Sequence, residues 1–199
     1  ANYSIDLGKN NISAVIGTEA KKENGEHLQG YGRGLVIEDL DYRYLDTVTE
    51  GKSVSNNAST YAMVSYFGKV NYAFDDKYLI SGTVRRDASS RFGKGNNSAI
   101  FPSVSAGWRV SREKFMECTQ NWLSDLKLRA SWGINGNDQI DNNATYNLYY
   151  TNMSNGSYNF NGDGTTVLPG VQKDRSGNND LKWGETKQLN FGIDAAFFD

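Results

Sequence analysis

The stretch SYFGKVNYAFDDKYLISGTVRRDASSRF, residues 65–92, decides the fold. It predicts two long strands joined by a tight turn at Asp75-Asp76-Lys77. Alternate side chains of a strand point to opposite faces of a sheet, and here one set is apolar or aromatic while the other is largely polar. Each strand exceeds the five or six residues typical of soluble proteins and reaches the roughly nine to eleven tilted residues that cross a bilayer. The hairpin is therefore typical of a wall between lipid and water.

The composition agrees with a β-rich membrane wall. The 199 residues include 38% hydrophobic and 13% aromatic residues, with 21 Gly and only 2 Pro. The mean hydropathy is −0.63, and no run approaches the length of a transmembrane helix. Transmembrane barrels escape that test because lipid-facing and lumen-facing residues alternate. The net charge of −2 gives no indication of a nucleic-acid partner.

The same alternation recurs along the chain and predicts an all-β, antiparallel, up-and-down sheet. The predicted strands cover residues 2–7, 12–19, 60–74, 78–90, 101–110, 126–135 and 183–197. Alternation is lost between residues 112 and 124, where Phe115, Cys118 and Trp122 follow a helical spacing. With Ser111 as its N-cap, this segment predicts one short helix.

The connections between these strands differ in length, and this difference predicts an orientation. Outer-membrane barrels keep short turns on the periplasmic side and long loops outside. We therefore expect the shorter connections inside and the longer ones outside. The shorter set is 8–11, 75–77 and 112–124, and the longer set is 20–58, 91–100 and 136–181.

Three motifs connect the chain with a known family. RRDASSRFG, FPSVSAGWR and LKLRASWG occur in this order, and residues 59–198 as a whole resemble the SusC/RagA family of TonB-dependent transporters. The resemblance implies a barrel of about 22 strands with a plug in its lumen, located in the cell outer membrane of Gram-negative bacteria. It also implies a SusD-like surface lipoprotein as a lid, energy from TonB through the plug region, and glycans or peptides as imported nutrients. The resemblance further implies that the outer face of the barrel contacts outer-membrane lipid.

The resemblance also sets the expected domain organisation. Residues 1–199 correspond to part of a TonB-dependent receptor barrel domain, about a third of a 22-stranded wall. The plug, the TonB box and the remaining strands are expected to lie outside this segment.

Strand parity assigns side chains to the two faces of this wall. The polar parity predicts a lumen-facing set: Lys69, Arg85, Asp87, Arg109, Lys127, Arg129, Asn190 and Asp194. The apolar parity predicts a lipid-facing set: Val64, Tyr66, Val70, Tyr72, Ile80, Val84, Val104, Trp108, Leu128, Trp132, Phe191 and Ile193. Pairing between neighbouring strands is the simpler role for most of the charged residues. We also expect a local network among Arg85, Arg86, Asp87 and Arg91 near the outer rim.

Aromatic residues in the long outer connections are the better candidates for contact with a ligand or with the lid. This set is Tyr146, Tyr149, Tyr150, Tyr158 and Phe160. Loops held by a rigid wall commonly carry recognition. Aromatic residues on the apolar face, and Trp183, are better explained as lipid-facing or interfacial than as sugar-stacking groups.

The sequence predicts no catalytic, cofactor or metal site. His27 is the only histidine, which leaves little material for a histidine-based triad or a His-rich metal site. The alternative to a barrel wall is a soluble β-sandwich that binds carbohydrate. A sandwich would bury Val104, Trp108, Leu128 and Trp132 beneath a second layer, and its strands and loops would be shorter.

Overall fold

The computed structural model describes residues 1–37, 39–119, 121–152, 158–159, 162, 167–168 and 170–198. Its main feature is one seven-stranded sheet with the strand order β1-β2-β3-β4-β5-β6-β11. Those strands are β1 (Asn2–Leu7), β2 (Asn10–Leu35), β3 (Val48–Phe74), β4 (Tyr78–Ser89), β5 (Ser98–Arg109), β6 (Leu123–Asn137) and β11 (Gly184–Phe197). Successive strands of this sheet are neighbours, which confirms the predicted up-and-down antiparallel arrangement.

The chain divides into two compact units, residues 22–62 and residues 1–21 with 63–199. The smaller unit corrects the prediction that residues 20–58 are mostly loop. Strands β2 and β3 continue through most of it, and two short 3₁₀ helices, Leu40–Tyr42 and Leu45–Thr47, lie in the connection between them. Polar side chains here are exposed on both sides of the ribbon. Because nearly all side chains of this ribbon apart from Val48 and Tyr61 are exposed, the sequence has no hydrophobic alternation that would reveal the strands.

The short helix predicted at 112–124 is present as a 3₁₀ helix, whereas its predicted N-cap is wrong. The structure has two 3₁₀ helices, Val110–Arg112 and Lys114–Thr119. Ser111 lies within the first one, and its hydroxyl donates to the Asp125 carboxylate at 2.7 Å instead of capping a helix. Cys118 is exposed. The helical spacing therefore does not reflect a buried face.

The long connection between β6 and β11 contains short strands that the sequence did not predict. They are β7 (Leu148–Asn152), β8 (Tyr158–Asn159), β9 (Val167–Leu168) and β10 (Gly170–Arg175). β10 pairs with β7, and β8 pairs with β9, each pair antiparallel. The segment 136–181 is therefore partly folded into small sheets, contrary to the uniform loop expected.

The predicted turn between β3 and β4 is confirmed. Asp75 and Asp76 both have positive φ angles, 52° and 51°, and the Lys77 amide donates to the Phe74 carbonyl at 2.9 Å. Two successive residues with positive φ characterise the type I′ turn, whose twist matches that of paired strands. Aspartate tolerates this conformation better than most residues.

The apolar face of the sheet is not covered by a second layer. Val104 is 48% exposed, Trp108 and Leu128 are each 37% exposed, and Trp132 is 41% exposed. The side chains that a sandwich would bury are open, so the carbohydrate-binding sandwich is not supported. Among the described residues, no helix is both long and apolar enough to cross a membrane.

Candidate functional site

The strand register sorts the two predicted sets of residues onto opposite faces. Directly opposed pairs on the polar face include Asp194 with Lys127, and on the apolar face Ile193 with Leu128. Following these pairs across β3, β4, β5, β6 and β11 places every member of the lumen-facing set on one face and every member of the lipid-facing set on the other.

A continuous row of small hydrogen-bonding side chains crosses the polar face at one height. We call it the serine–asparagine belt. Its members, from β1 to β11, are Ser4, Ser13, Asn71, Ser81, Ser105, Ser131 and Asn190. The Asn71 amide donates to the Ser13 hydroxyl at 3.0 Å, and the Ser81 and Ser105 hydroxyls lie 2.7 Å apart. The belt forms part of the wall of an open recess of about 560 Å³.

Of the belt, only Asn190 was singled out from the sequence. Within one strand, a serine among the polar-face residues gives no sign of a special role. The belt is identified only from the strand register, which places a serine or asparagine of each strand opposite one on the neighbouring strand.

On the other face, a neighbouring row is apolar. It comprises Tyr72, Ile80, Ala106, Ala130 and Phe191. The apolar band continues along β3 from Phe74 to Tyr66, which is about 27 Å at roughly 3.4 Å per residue. Tilted by about 40°, this distance is about 21 Å, close to the apolar band of roughly 25 Å on transmembrane barrels.

Several charged side chains of the polar face pair with neighbours. The Arg129 guanidinium lies 3.2 Å from the Asp194 carboxylate, on the adjacent strand. Its path crosses Gly192, where an added Cβ would lie 2.5 Å from Arg129 Nε. Because Gly192 has no side chain, the Arg129 side chain can lie flat against the polar face.

Arg85 is the centre of a second cluster on the polar face. Its Nε donates to both Asp87 carboxylate oxygens, at 2.7 and 3.0 Å, while Nη2 donates to Glu19 at 3.0 Å and to Ser65 at 2.8 Å. Ser65 is fully buried. The guanidinium carbon also lies 5.7 Å from the centre of the Phe67 ring.

The network expected among Arg85, Arg86, Asp87 and Arg91 is therefore only partly present. Arg85 and Asp87 pair. Arg86 lies on the opposite face, 3.4 Å from the Ser98 hydroxyl, because neighbouring residues of a strand alternate. Arg91 instead bonds to the connection after β6, donating to Asn142 at 2.8 Å and to the Asp138 carbonyl at 3.0 Å.

The connections beside Arg91 share a small aromatic core. The Trp183 ring lies 5.3 Å from both Phe92 and Phe101, which are buried. The Trp183 indole donates to the Asn97 carbonyl at 3.2 Å. Trp183 therefore anchors the long connections, which corrects its expected interfacial role.

The same region contains a carboxyl group whose pKa is lowered. Asp141 accepts a hydrogen bond from the Asn143 amide at 2.8 Å and pairs with Arg175 at 3.1 Å. The backbone hydrogen bond is the main cause of the lower Asp141 pKa, and the Arg175 guanidinium adds to it. These contacts fix the connection after β6 against β10.

The predicted loop aromatics are only partly described. Tyr146 and Tyr149 are well exposed, and Tyr150 donates its hydroxyl to Gln172 at 3.0 Å across the β7–β10 pair. The side chains of Tyr158 and Phe160 lie outside the described part of the structure. The exposed side chains of Tyr146 and Tyr149 are available to a partner.

The short connections lie together at the other end of the strands, away from the long connections. Lys9 pairs with Asp75 at 3.0 Å, and Arg112 pairs with Asp76 at 2.9 Å. Glu113 accepts hydrogen bonds from the Tyr78 hydroxyl at 2.6 Å and from the Trp108 indole at 3.2 Å. The bond from Tyr78 is the main reason why the Glu113 pKa is lowered. Sequence reasoning missed Glu113, since nothing local links it to Tyr78.

Within the described residues, no group of three or more His, Cys, Asp or Glu side chains is placed to hold a metal ion. The geometry is that of a single-layered wall with one polar and one apolar face. This defines the class of the protein as an antiparallel β protein of the kind that forms the wall of a β-barrel.

Comparison with known proteins places the chain within that class. The family model described as TonB dependent receptor-like, beta-barrel, matches residues 2–199. TonB-dependent receptor P3 of Formosa agariphila and TonB-dependent receptor SusC of Bacteroides thetaiotaomicron are each 34% identical to it, over 99% of this chain and 19% of their own length. The structure of the RagAB peptide transporter aligns with a TM-score of 0.83 at 31% identity, over 99% of this chain and 21% of that one.

The chain belongs to the TonB-dependent receptor β-barrel family, as a SusC/RagA-like part of a barrel domain of the outer membrane. It spans about a fifth of the length of these relatives.

Proposed function

We propose that residues 1–199 all belong to the barrel domain of a nutrient importer, with the polar face lining the lumen and the apolar face in contact with lipid. The single observation that carries this proposal is the pairing of the serine–asparagine belt on one face with an apolar row on the other. A wall one strand thick separates water from hydrocarbon only if its two faces differ in this way at the same height.

The backbone supports the same role. Lipid offers no hydrogen-bond partner, so a spanning strand must pair its amides and carbonyls with neighbouring strands. The ladders from β3 to β6 and from β6 to β11 provide that pairing over long runs.

The whole importer would work with the partners that its relatives suggest. We propose that a SusD-like surface lipoprotein contacts the long connections, where Tyr146, Tyr149 and Tyr150 are exposed to different degrees. TonB would act through the plug region of the whole protein, and the cargo would be a glycan or a peptide. The name TonB-dependent receptor SusC supports the coupling to TonB, and the name RagAB peptide transporter supports a peptide cargo. The role is transport and not enzymatic catalysis.

Site-directed spin labelling of the full-length protein tests the orientation of the faces. Ser131 of the belt and Ala130 of the apolar row are sequence neighbours on β6, so they form a matched pair. Each is replaced by Cys in a Cys118→Ser background, labelled with a nitroxide, and measured in lipid vesicles.

We expect the label at Ser131 to collide with an aqueous nickel complex and the label at Ala130 to collide with oxygen dissolved in the bilayer. Reversed or identical accessibilities at the two positions would refute the assignment of faces.

A further inference from the structure

The apolar face contains a groove that the importer's transport role does not use. It has a volume of about 390 Å³. Its lining includes two alanines, Ala106 and Ala130, which are directly opposed on β5 and β6. Larger side chains border them, namely Tyr78, Ile80, Trp108, Leu128 and Phe191. Two small residues between larger ones therefore create a local depression in this face.

One end of the groove is bordered by polar groups held in fixed positions. Tyr78 and Trp108 both line the groove, and both donate to the same Glu113 oxygen, at 2.6 and 3.2 Å. The other Glu113 oxygen accepts from Lys77 at 3.4 Å. Tyrosine and tryptophan at a membrane interface normally orient their polar atoms towards the headgroup region. Here Glu113 occupies those donors and fixes both rings as groove walls.

Cations lie beside this end of the groove. Glu113 is flanked in sequence by Arg112 and Lys114, both exposed. Arg112 also contacts Asp76 at 2.9 Å, which places it at the turn next to Lys77. Arginine and lysine side chains form strong, charge-assisted hydrogen bonds with phosphate oxygens. The groove is thus apolar along its length, and charged groups of both signs, Arg112 and Lys114 with Asp76 and Glu113, lie beside one end.

We propose that this groove binds one phospholipid, with an acyl chain over Ala106 and Ala130 and the headgroup phosphate beside Arg112 and Lys114. The proposal rests on the proposed contact of the apolar face with lipid. A phospholipid matches this arrangement, because its acyl chain is apolar like the groove and its headgroup is charged like the groups beside the end of the groove. Glu113 acts as a positioning residue, since it holds Tyr78 and Trp108 in place without touching the acyl chain.

Native mass spectrometry of the full-length protein in detergent tests this proposal. Phosphatidylethanolamine and phosphatidylglycerol are added in separate experiments, and the fraction of protein retaining one lipid is measured. We expect wild-type protein to retain one lipid, and Ala106→Phe to lower its apparent affinity severalfold. The phenyl ring fills the depression, so the acyl chain loses its van der Waals contacts with the two alanines, while the displaced chain stays in the detergent micelle. Val70→Phe is the matched control, because Val70 lies on the same face outside the groove lining.

The headgroup contact has its own variant. Arg112→Gln combined with Lys114→Gln is expected to weaken retention of both lipids several-fold, and that of the anionic phosphatidylglycerol more strongly. Heat modifiability on gels checks that each variant is a folded barrel. Equal retention by wild type, Ala106→Phe and Val70→Phe would overturn the proposal.

The spin label at Ala130 separates this failure from failure of the proposed function. If that label collides with bilayer oxygen while Ala106→Phe has no effect, the face meets lipid but the groove is not a binding site. If the label collides with the aqueous complex, the orientation of the wall is wrong and the lipid site is lost with it.

Discussion

Arginine introduced at two adjacent positions of β5 should have very different consequences. Val104 lies on the apolar face, four residues from Trp108 and four from Ile100, which are on the same face. At roughly 3.4 Å per residue and a tilt of about 40°, it lies about 10 Å from either row, close to the middle of the apolar band. Val104→Arg is therefore expected to destabilise the barrel by about 2–4 kcal/mol, the cost of a cation facing lipid at the midplane.

The neighbouring variant, Ser105→Arg, places the same side chain on the polar face. It removes the 2.7 Å contact between the Ser105 and Ser81 hydroxyls, and a hydrogen bond of this kind contributes about 1 kcal/mol. The long side chain can extend into the open recess of about 560 Å³ and keep its charge hydrated. We therefore expect a loss of about 1 kcal/mol or less.

The assay is urea unfolding of the full-length protein from lipid vesicles, followed by the heat modifiability of the folded barrel on gels. Comparable m-values in the two variants would show that the same transition is being compared. The reasoning is refuted if Ser105→Arg lowers the unfolding midpoint as much as Val104→Arg does. That result would mean that the polar face does not meet water at this height.

Two further predictions concern the polar face and the long connections. Gly192→Ala should push Arg129 away from Asp194 and lower the free energy of unfolding by at most about 1 kcal/mol, the upper value for an exposed ion pair. Gly82→Ala is the control and should be nearly neutral, because a Cβ at Gly82 meets nothing within 4 Å. Urea unfolding midpoints measure both variants. Asp141→Asn should speed proteolysis of the connection after β6, with Asp174→Asn as a control of equal charge change. The Asp141 pKa is lowered in the folded state, so its contribution is present above the unfolded pKa and is lost as the pH falls through the lower folded value. Wild-type cleavage should therefore approach that of the variant in acid, and a cleavage rate independent of pH would contradict this.

The sequence contains enough information to assign most of the wall. Hydrophobic alternation identifies β4, β5, β6 and β11 because one face of each strand is apolar over most of its length. The turn at Asp75-Asp76 is likewise a local signal, since few residue types tolerate two successive positive φ angles. These features depend on neighbours in sequence and can therefore be predicted from it.

The features that were missed depend on long-range contacts. The outer parts of β2 and β3 are polar on both faces, so nothing in their pattern distinguishes a paired ribbon from a loop. Glu113 receives hydrogen bonds from Tyr78, 35 positions away, and Trp183 packs near Asn97, 86 positions away. Each contact is created by the register of the sheet, which single-strand periodicity does not specify.

In the proposed importer, the wall itself would be poorly suited to select a cargo. The serine–asparagine belt consists of hydroxyls and amides, which both donate and accept hydrogen bonds and therefore suit many polar molecules. The long connections differ from it, because Phe92 and Phe101 pack on Trp183 and Arg91 bonds to Asn142. A packed core holds loop side chains in defined positions, and defined positions are what discrimination between ligands requires. Selection of the cargo is therefore expected in the long connections, while the belt offers the selected molecule a hydrated surface that holds it only weakly.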